Sequence, residues 1–110
     1  MNTVETRSEA GFSIVTVKGE VDLSWSSQIR GKILDALSSE SKEPVLVELT
    51  EVAYIDSSGI AALVEGYQTA KTKQLDFGLV NISSAVKAVL ELARLDQVFP
   101  IYSDLSEVGR

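Results

Sequence analysis

At 110 residues, with 45% hydrophobic and 24% charged residues, the chain has the size and composition of an ordinary globular protein, and one domain spanning 1–110 is expected. It contains neither Cys nor His, which excludes disulfide frameworks, thiolate nucleophiles, imidazole bases and the usual zinc sites. A formal net charge of -6 with no run of Lys or Arg repels phosphate backbones and anionic lipid, so no direct contact with nucleic acid is expected, while an acidic surface suits a partner with a basic contact face.

No apolar stretch approaches the ~20 residues that cross a bilayer. Met1-Asn2-Thr3-Val4-Glu5 lacks the basic start and apolar core of a signal peptide. A cytoplasmic protein without membrane insertion is the expectation.

Phe12 to Lys18 is rich in β-branched residues and nearly alternates, which predicts a half-buried strand ended by Gly19. Thr3 to Arg7 is placed as its hairpin partner across Glu9-Ala10-Gly11. Trp25, Ile29, Ile33 and Leu37 then recur every four residues, with Leu34 widening the stripe; this is the mark of an amphipathic helix, for which Ser24 is a candidate N-cap. After Pro44, the apolar run Val45-Leu46-Val47-Glu48-Leu49 predicts a central strand covered on both faces.

Helical periodicity returns after Asp56-Ser57-Ser58-Gly59, with Ile60, Leu63, Val64, Tyr67 and Lys71 on or beside one face. Phe77 to Val80 reads as a strand, Ser83 as the cap of a third helix carrying Val86, Val89, Leu90 and Ala93, and Val98 to Ile101 as a short edge strand because Pro100 has no N–H. Asp104 to Val108 has room for one helical turn. Two strands followed by alternating helix and strand define an α/β protein with a largely parallel sheet and an antiparallel N-terminal edge. Such sheets carry their working sites at the C-terminal ends of strands.

That rule directs attention to Asp56-Ser57-Ser58-Gly59, where the central strand gives way to a helix. A short side-chain oxygen there caps unpaired N–H groups, and capping is a sufficient local reason for Asp and Ser at this position. Catalytic readings fail on missing residues. A serine nucleophile needs Gly-x-Ser-x-Gly and a base, and a phosphoaspartate receiver needs an acidic pair after the first strand and a late Lys. The strand from Ser13 to Lys18 ends without acids, and no Lys follows Lys87. One carboxylate, Asp56, makes a poor cation site, so neither metal nor cofactor is expected.

These residues resemble a known family. Gly19-Glu20-Val21-Asp22 is similar to the Gly-Glu-apolar-Asp turn of STAS domains of the anti-anti-sigma factor type, and Tyr54-Ile55-Asp56-Ser57-Ser58-Gly59-Ile60 to their phosphorylation segment. Asn81-Ile82-Ser83-Ser84-Ala85-Val86 resembles the start of their third helix. The resemblance covers nearly the whole chain in matching order. It implies a STAS fold: α/β, with a mostly parallel mixed sheet of about five strands and helices mainly on one face.

The resemblance also implies an antagonist of an anti-sigma factor rather than an enzyme. In such domains the serine after the aspartate, here Ser57, is phosphorylated by a partner that is both serine kinase and anti-sigma factor and binds the ATP, and a metal-dependent phosphatase reverses the change. The unphosphorylated form binds the kinase and frees a sigma factor; the phosphorylated form lets go. Ser58 matches the second hydroxyl, a cap or secondary acceptor, and Gly19, Glu20, Asp22, Asp56 and Gly59 match the surrounding partner surface. Asp22 equally suits a cap for the first helix, and Gly59 equally suits a steric need at the turn. Ala61 in place of a second glycine, Lys73-Gln74-Leu75 in place of a glycine-rich turn, and a short C-terminal helix depart from the family pattern. STAS domains also serve as accessory subunits docked on transporter ATPases and as stress-signalling scaffolds, which is the alternative the resemblance leaves open.

Overall fold

The computed structural model describes residues 2–108. Strands β1 (Thr3–Glu9), β2 (Phe12–Val21), β3 (Val45–Ile55), β4 (Phe77–Val80) and β5 (Ile101–Tyr102) lie side by side in sequence order. The first pair is antiparallel and the remaining pairs are parallel. Helices α1 (Leu23–Leu37), α2 (Ser57–Thr72) and α3 (Ser84–Leu92) connect the parallel strands. The β1–β2 turn closes on Ala10 and Gly11, both at positive φ (55° and 85°), as a tight hairpin requires.

Strand alternation decides where the core lies. Val15 and Val17 of β2 and Val45, Val47 and Leu49 of β3 share one buried cluster with Ile29, Ile33 and Leu37 of α1, Leu63 of α2, and Val86 and Leu90 of α3. The alternate positions Thr16 and Glu48 turn to the opposite face, where the Thr16 hydroxyl donates to Glu48 at 3.0 Å and Arg7 Nη1 donates to Thr16 at 2.7 Å. Arg7 is held more firmly in its charged form, first by its hydrogen bond to Glu9 and then by the field of Glu48.

Several boundaries differ from the sequence expectation, each for a local reason. β2 continues past Gly19 to Val21, because Gly19 adopts φ 110° beside a shift of register against β3 and so bends the strand without ending it. β3 likewise runs on to Ile55, with Val52 and Ile55 buried and its intervening residues exposed. The cap of α1 is Asp22, whose carboxylate accepts from the Ser24 N–H at 3.1 Å; Ser24 itself lies inside the helix. Leu95–Gln97 form a 3-10 turn, so the last strand is Ile101–Tyr102 rather than Val98 to Ile101, and Pro100 contributes through its carbonyl, which accepts from Leu79 N–H at 2.9 Å. Ser83 caps α3 as expected, and Leu105–Glu107 supply the terminal turn.

The buried face of α2 is Gly59, Ala62, Leu63, Gly66 and Ala70, while Ile60, Val64 and Tyr67 are half-buried and Lys71 is exposed. Small residues let this helix lie close to α1 and the sheet. A Cβ on Gly66 would stand 2.7 Å from Ile33 Cγ2 and 3.1 Å from the Phe77 ring. The two departures in this helix are tolerated for simple reasons: Ala61 is exposed, and Gln74 takes φ 59° at the turn where a glycine would be usual. Gly66→Val is expected to lower the unfolding free energy by about 1–3 kcal/mol through overpacking. Gly31→Ala, in α1 with nothing within 4 Å, is expected to raise it by up to ~1 kcal/mol; urea denaturation midpoints check both.

Candidate functional site

The parallel strands β2 and β3 end together, with Glu20 opposite Tyr54 and Val21 opposite Ile55. Helices α1 and α2 therefore begin side by side. The Asp56 N–H donates to the Val21 carbonyl at 3.0 Å, tying the two strand-to-helix turns to each other. Farther along, Arg30 of α1 and Glu65 of α2 form a two-point ion pair at 2.6 and 2.7 Å, which fixes the helices in register and holds the Glu65 carboxyl below its ordinary range.

Asp56 caps α2. One carboxylate oxygen accepts from the Ser58 N–H at 2.9 Å, the Gly59 N–H at 3.2 Å and the Ser58 hydroxyl at 2.6 Å. The Ser58 hydroxyl bond is the largest cause of a lowered Asp56 pKa, with the Gly59, Ser58 and Leu23 N–H groups acting in the same direction against partial burial. Ser57, between the two capping residues, is exposed, and its hydroxyl bonds to no other described residue.

The same cap occurs at two other turns. Asp22 accepts from the Ser24 N–H and hydroxyl (3.1 and 2.7 Å), and Asp104 accepts from the Ser106 N–H at 2.8 Å and from the Ser106 hydroxyl. The residue between Asp and Ser is Leu23 in one and Leu105 in the other. A hydroxyl at the middle position is therefore not needed for capping. Ser57 occupies a place that the local structure leaves unused, whereas Ser58 is committed to the cap.

All the residues singled out from the sequence lie at this end of the sheet. Glu20 is exposed on β2, Asp22 caps the helix beside Asp56, and Gly19 sits in the bend just before them. Gly59 is buried inside the fold: a Cβ there would lie 2.6 Å from both Ile55 Cγ1 and Val21 Cγ1. The crossing of α2 over the strand ends therefore leaves no room for a side chain at this position. Two exposed apolar residues near this turn were not among the candidate site residues. Leu23 is 77% exposed and Tyr54 is 50% exposed, an apolar pair flanking the turn. Leu23 falls outside the four-residue stripe that begins at Trp25, and that misfit was the available signal. Among the described residues no group of three or more acidic side chains is arranged to hold a metal ion, and no helix is long and apolar enough to cross a membrane.

Residues 3–108 match the STAS domain family model, and the chain belongs to that family. It is 24% identical over 101 residues to the anti-sigma F factor antagonist of Paenibacillus polymyxa, covering 92% of this chain and 86% of the relative. The crystal structure of an anti-sigma factor antagonist from Mycobacterium paratuberculosis superposes with a TM-score of 0.86 at 25% identity, covering 97% of this chain and 90% of that one. The Bacillus cell fate determinant SpoIIAA in its phosphorylated form shares the fold, with a TM-score of 0.71 at 19% identity over 97% of this chain and 95% of that one.

The depressed pKa of Asp56 fixes the sign of a pH effect. An ionised cap stabilises the fold fully above the unfolded carboxylate value of about 3.9, and that contribution is lost as the pH falls through the lower folded value. The melting temperature of the native chain is expected to drop more steeply on acidification than that of Asp56→Asn. At neutral pH, Asp56→Ala is expected to melt lower than the native chain, whereas Ser57→Ala melts unchanged. Circular dichroism melts across the acid range test all three variants.

Proposed function

We propose that this chain is an anti-sigma factor antagonist that works by partner switching, with Ser57 as the phosphorylated residue. The observation that carries the reading is the free, exposed hydroxyl of Ser57 at the start of α2, in a position the cap does not need. The names of its relatives support the partner class, and the Asp-x-Ser cap supports Ser57 over Ser58 as acceptor. Unphosphorylated, the domain docks on an anti-sigma factor with serine kinase activity that binds its own ATP, and a sigma factor is freed. Phosphorylated, it lets go, and a metal-dependent serine phosphatase restores the first state. The role is regulatory, exercised as one domain in the cytoplasm, with no catalysis by this chain.

The physics favours dissociation without unfolding. Phosphorylation adds about −1.5 to −2 charges and three acceptor oxygens. The start of α2 tolerates them, because the positive end of the helix dipole favours an anion there. Repulsion from Asp56 is weakened by solvent around the exposed turn. In a close-packed interface the relief from solvent is lost: the phosphate has no room, and the acidic side chains of Glu20, Asp22 and Asp56 add like charge. Leu23 and Tyr54 supply the apolar anchors that a tight docking face needs.

Incubation with the cognate kinase and ATP is expected to add one phosphate, lost in Ser57→Ala and retained in Ser58→Ala. By isothermal titration calorimetry, Ser57→Asp weakens kinase binding at least about a hundredfold, ~3 kcal/mol, with an unchanged far-ultraviolet spectrum, while Ser57→Ala binds constitutively. A partner that held Ser57→Asp as tightly as the native chain would instead support docking on a transporter ATPase or signalling scaffold. Leu23→Ala and Tyr54→Ala are each expected to cost more than ~1 kcal/mol of binding and nothing in melting temperature.

A further inference from the structure

Strand β1 is an edge of the sheet, and no strand among the described residues pairs with its outer side. Natural edges are blunted by bulges, prolines, lysines or short length. Here the seven residues Thr3–Glu9 pair with β2 without a shift of register and contain neither Pro nor Lys. Glu5 to Glu9 are all exposed. Charge is the one protective device that remains, and its order matters.

We propose that this edge pairs with the same edge of a second copy of the chain, antiparallel about Thr6, to give a weak two-fold dimer with a continuous ten-strand sheet. In that register Thr6 faces Thr6 of the second copy, and Glu5 faces Arg7 in both directions. Directly opposed residues share one face of a sheet, and opposite charges or paired threonines in this arrangement are favourable. Val4 packs against the core on the helix side, so alternation puts Glu5 and Arg7 together on the other face.

The ion-pairing capacity of Glu5 is unspent, and that of Arg7 is spent only in part, on Glu9 at 3.1 Å and Glu48 at 3.6 Å. Glu5 takes no part in any ion pair among the described residues. Arg7 is aimed along this face by Glu9 and Thr16, bonding through Nε and Nη1, and Nη2 remains without a partner among the described residues. A strand with like charges at positions 5 and 7 would repel its own copy in this register; Glu-Thr-Arg attracts it. Because the complementarity is symmetric about a single residue, it selects a second copy rather than an unrelated peptide. One strand pair of this length, about 24 Å at ~3.4 Å per residue, buries less than a standard interface, so the association is reversible and concentration-dependent.

Sedimentation velocity over a concentration series tests the pairing on the full chain. The native protein is expected to move from monomer to dimer. Glu5→Arg, which removes no ion pair within the described residues, is expected to weaken dimerisation by at least about tenfold, ~1.4 kcal/mol. The exchange Glu5→Arg with Arg7→Glu is expected to restore it. As the chain has no cysteine, Thr6→Cys under mild oxidation provides a second readout: a disulfide-linked dimer should form faster than with Glu9→Cys, since only position 6 meets itself. Monomer at every concentration, native-like dimerisation of Glu5→Arg, or equal crosslinking at positions 6 and 9 would each overturn the proposal. Ser57→Asp should dimerise as the native chain does, so failure here and failure of the switch are separately visible.

Discussion

The strand-to-helix turn that carries the candidate site depends on a single carboxylate. Asp56 stands where the middle strand stops, its own N–H tied to the end of β2 and its side chain closing the first turn of α2. A helix start leaves four N–H groups without helical partners, and a buried strand end leaves the chain little freedom to supply them. By satisfying two of these donors and the Ser58 hydroxyl together, Asp56 fixes the direction of α2. That direction brings Gly59 into contact with Val21 and Ile55, where any side chain would collide. The position of the Ser57 hydroxyl is thus set by its neighbours, since that hydroxyl bonds to no other described residue.

This separation is what a reversible modification requires. If the modified hydroxyl were also a cap, adding a phosphate would alter the stability of the fold along with the affinity for a partner. Ser58, whose hydroxyl lies 2.6 Å from Asp56, is such a residue. Ser57 is not, and the leucines in the equivalent places of the Asp22 and Asp104 turns show that the cap closes equally well around an apolar side chain. Affinity and stability can therefore vary independently at adjacent positions of one turn.

The sheet architecture could be read from the sequence because it follows from strong local signals: alternation in β2, a nearly continuous apolar run in β3, four-residue spacing in α1; the strand-end rule drew the candidate site to the turn at Asp56. The ends of elements could not. Gly19 reads as a terminator because glycine usually breaks strands, yet pairing with β3 carries β2 through it to Val21. Ser24 and Asp22 are equally good caps by type, and only the length of β2 decides for Asp22. In α2 the large residues Ile60, Val64 and Tyr67 suggest the buried face, but tight packing hands that face to Gly59, Ala62 and Gly66. Leu23 and Tyr54 were not singled out as candidate site residues, since Leu23 falls outside the helical stripe and Tyr54 entered only as the start of the segment around Asp56. In each case the deciding contact lies far along the chain.

Two kinds of surface remain once the core is assigned, and their chemistry differs. At the strand C-termini the exposed Leu23 and Tyr54 belong to the same two strand-to-helix turns as Glu20, Asp22, Asp56 and Ser57, so in the proposed switch a single covalent charge shifts the balance between burial and repulsion. Along β1 the charges alternate in sign, and the backbone carries unpaired donors and acceptors that no modification of a distant serine alters. In the proposed switch the first surface responds to a dianion because desolvation multiplies the cost of like charge; in the proposed dimer the second does not, because its register rests on main-chain hydrogen bonds and pairwise charge order. The switching and the self-association we propose therefore draw on different residues of one small domain.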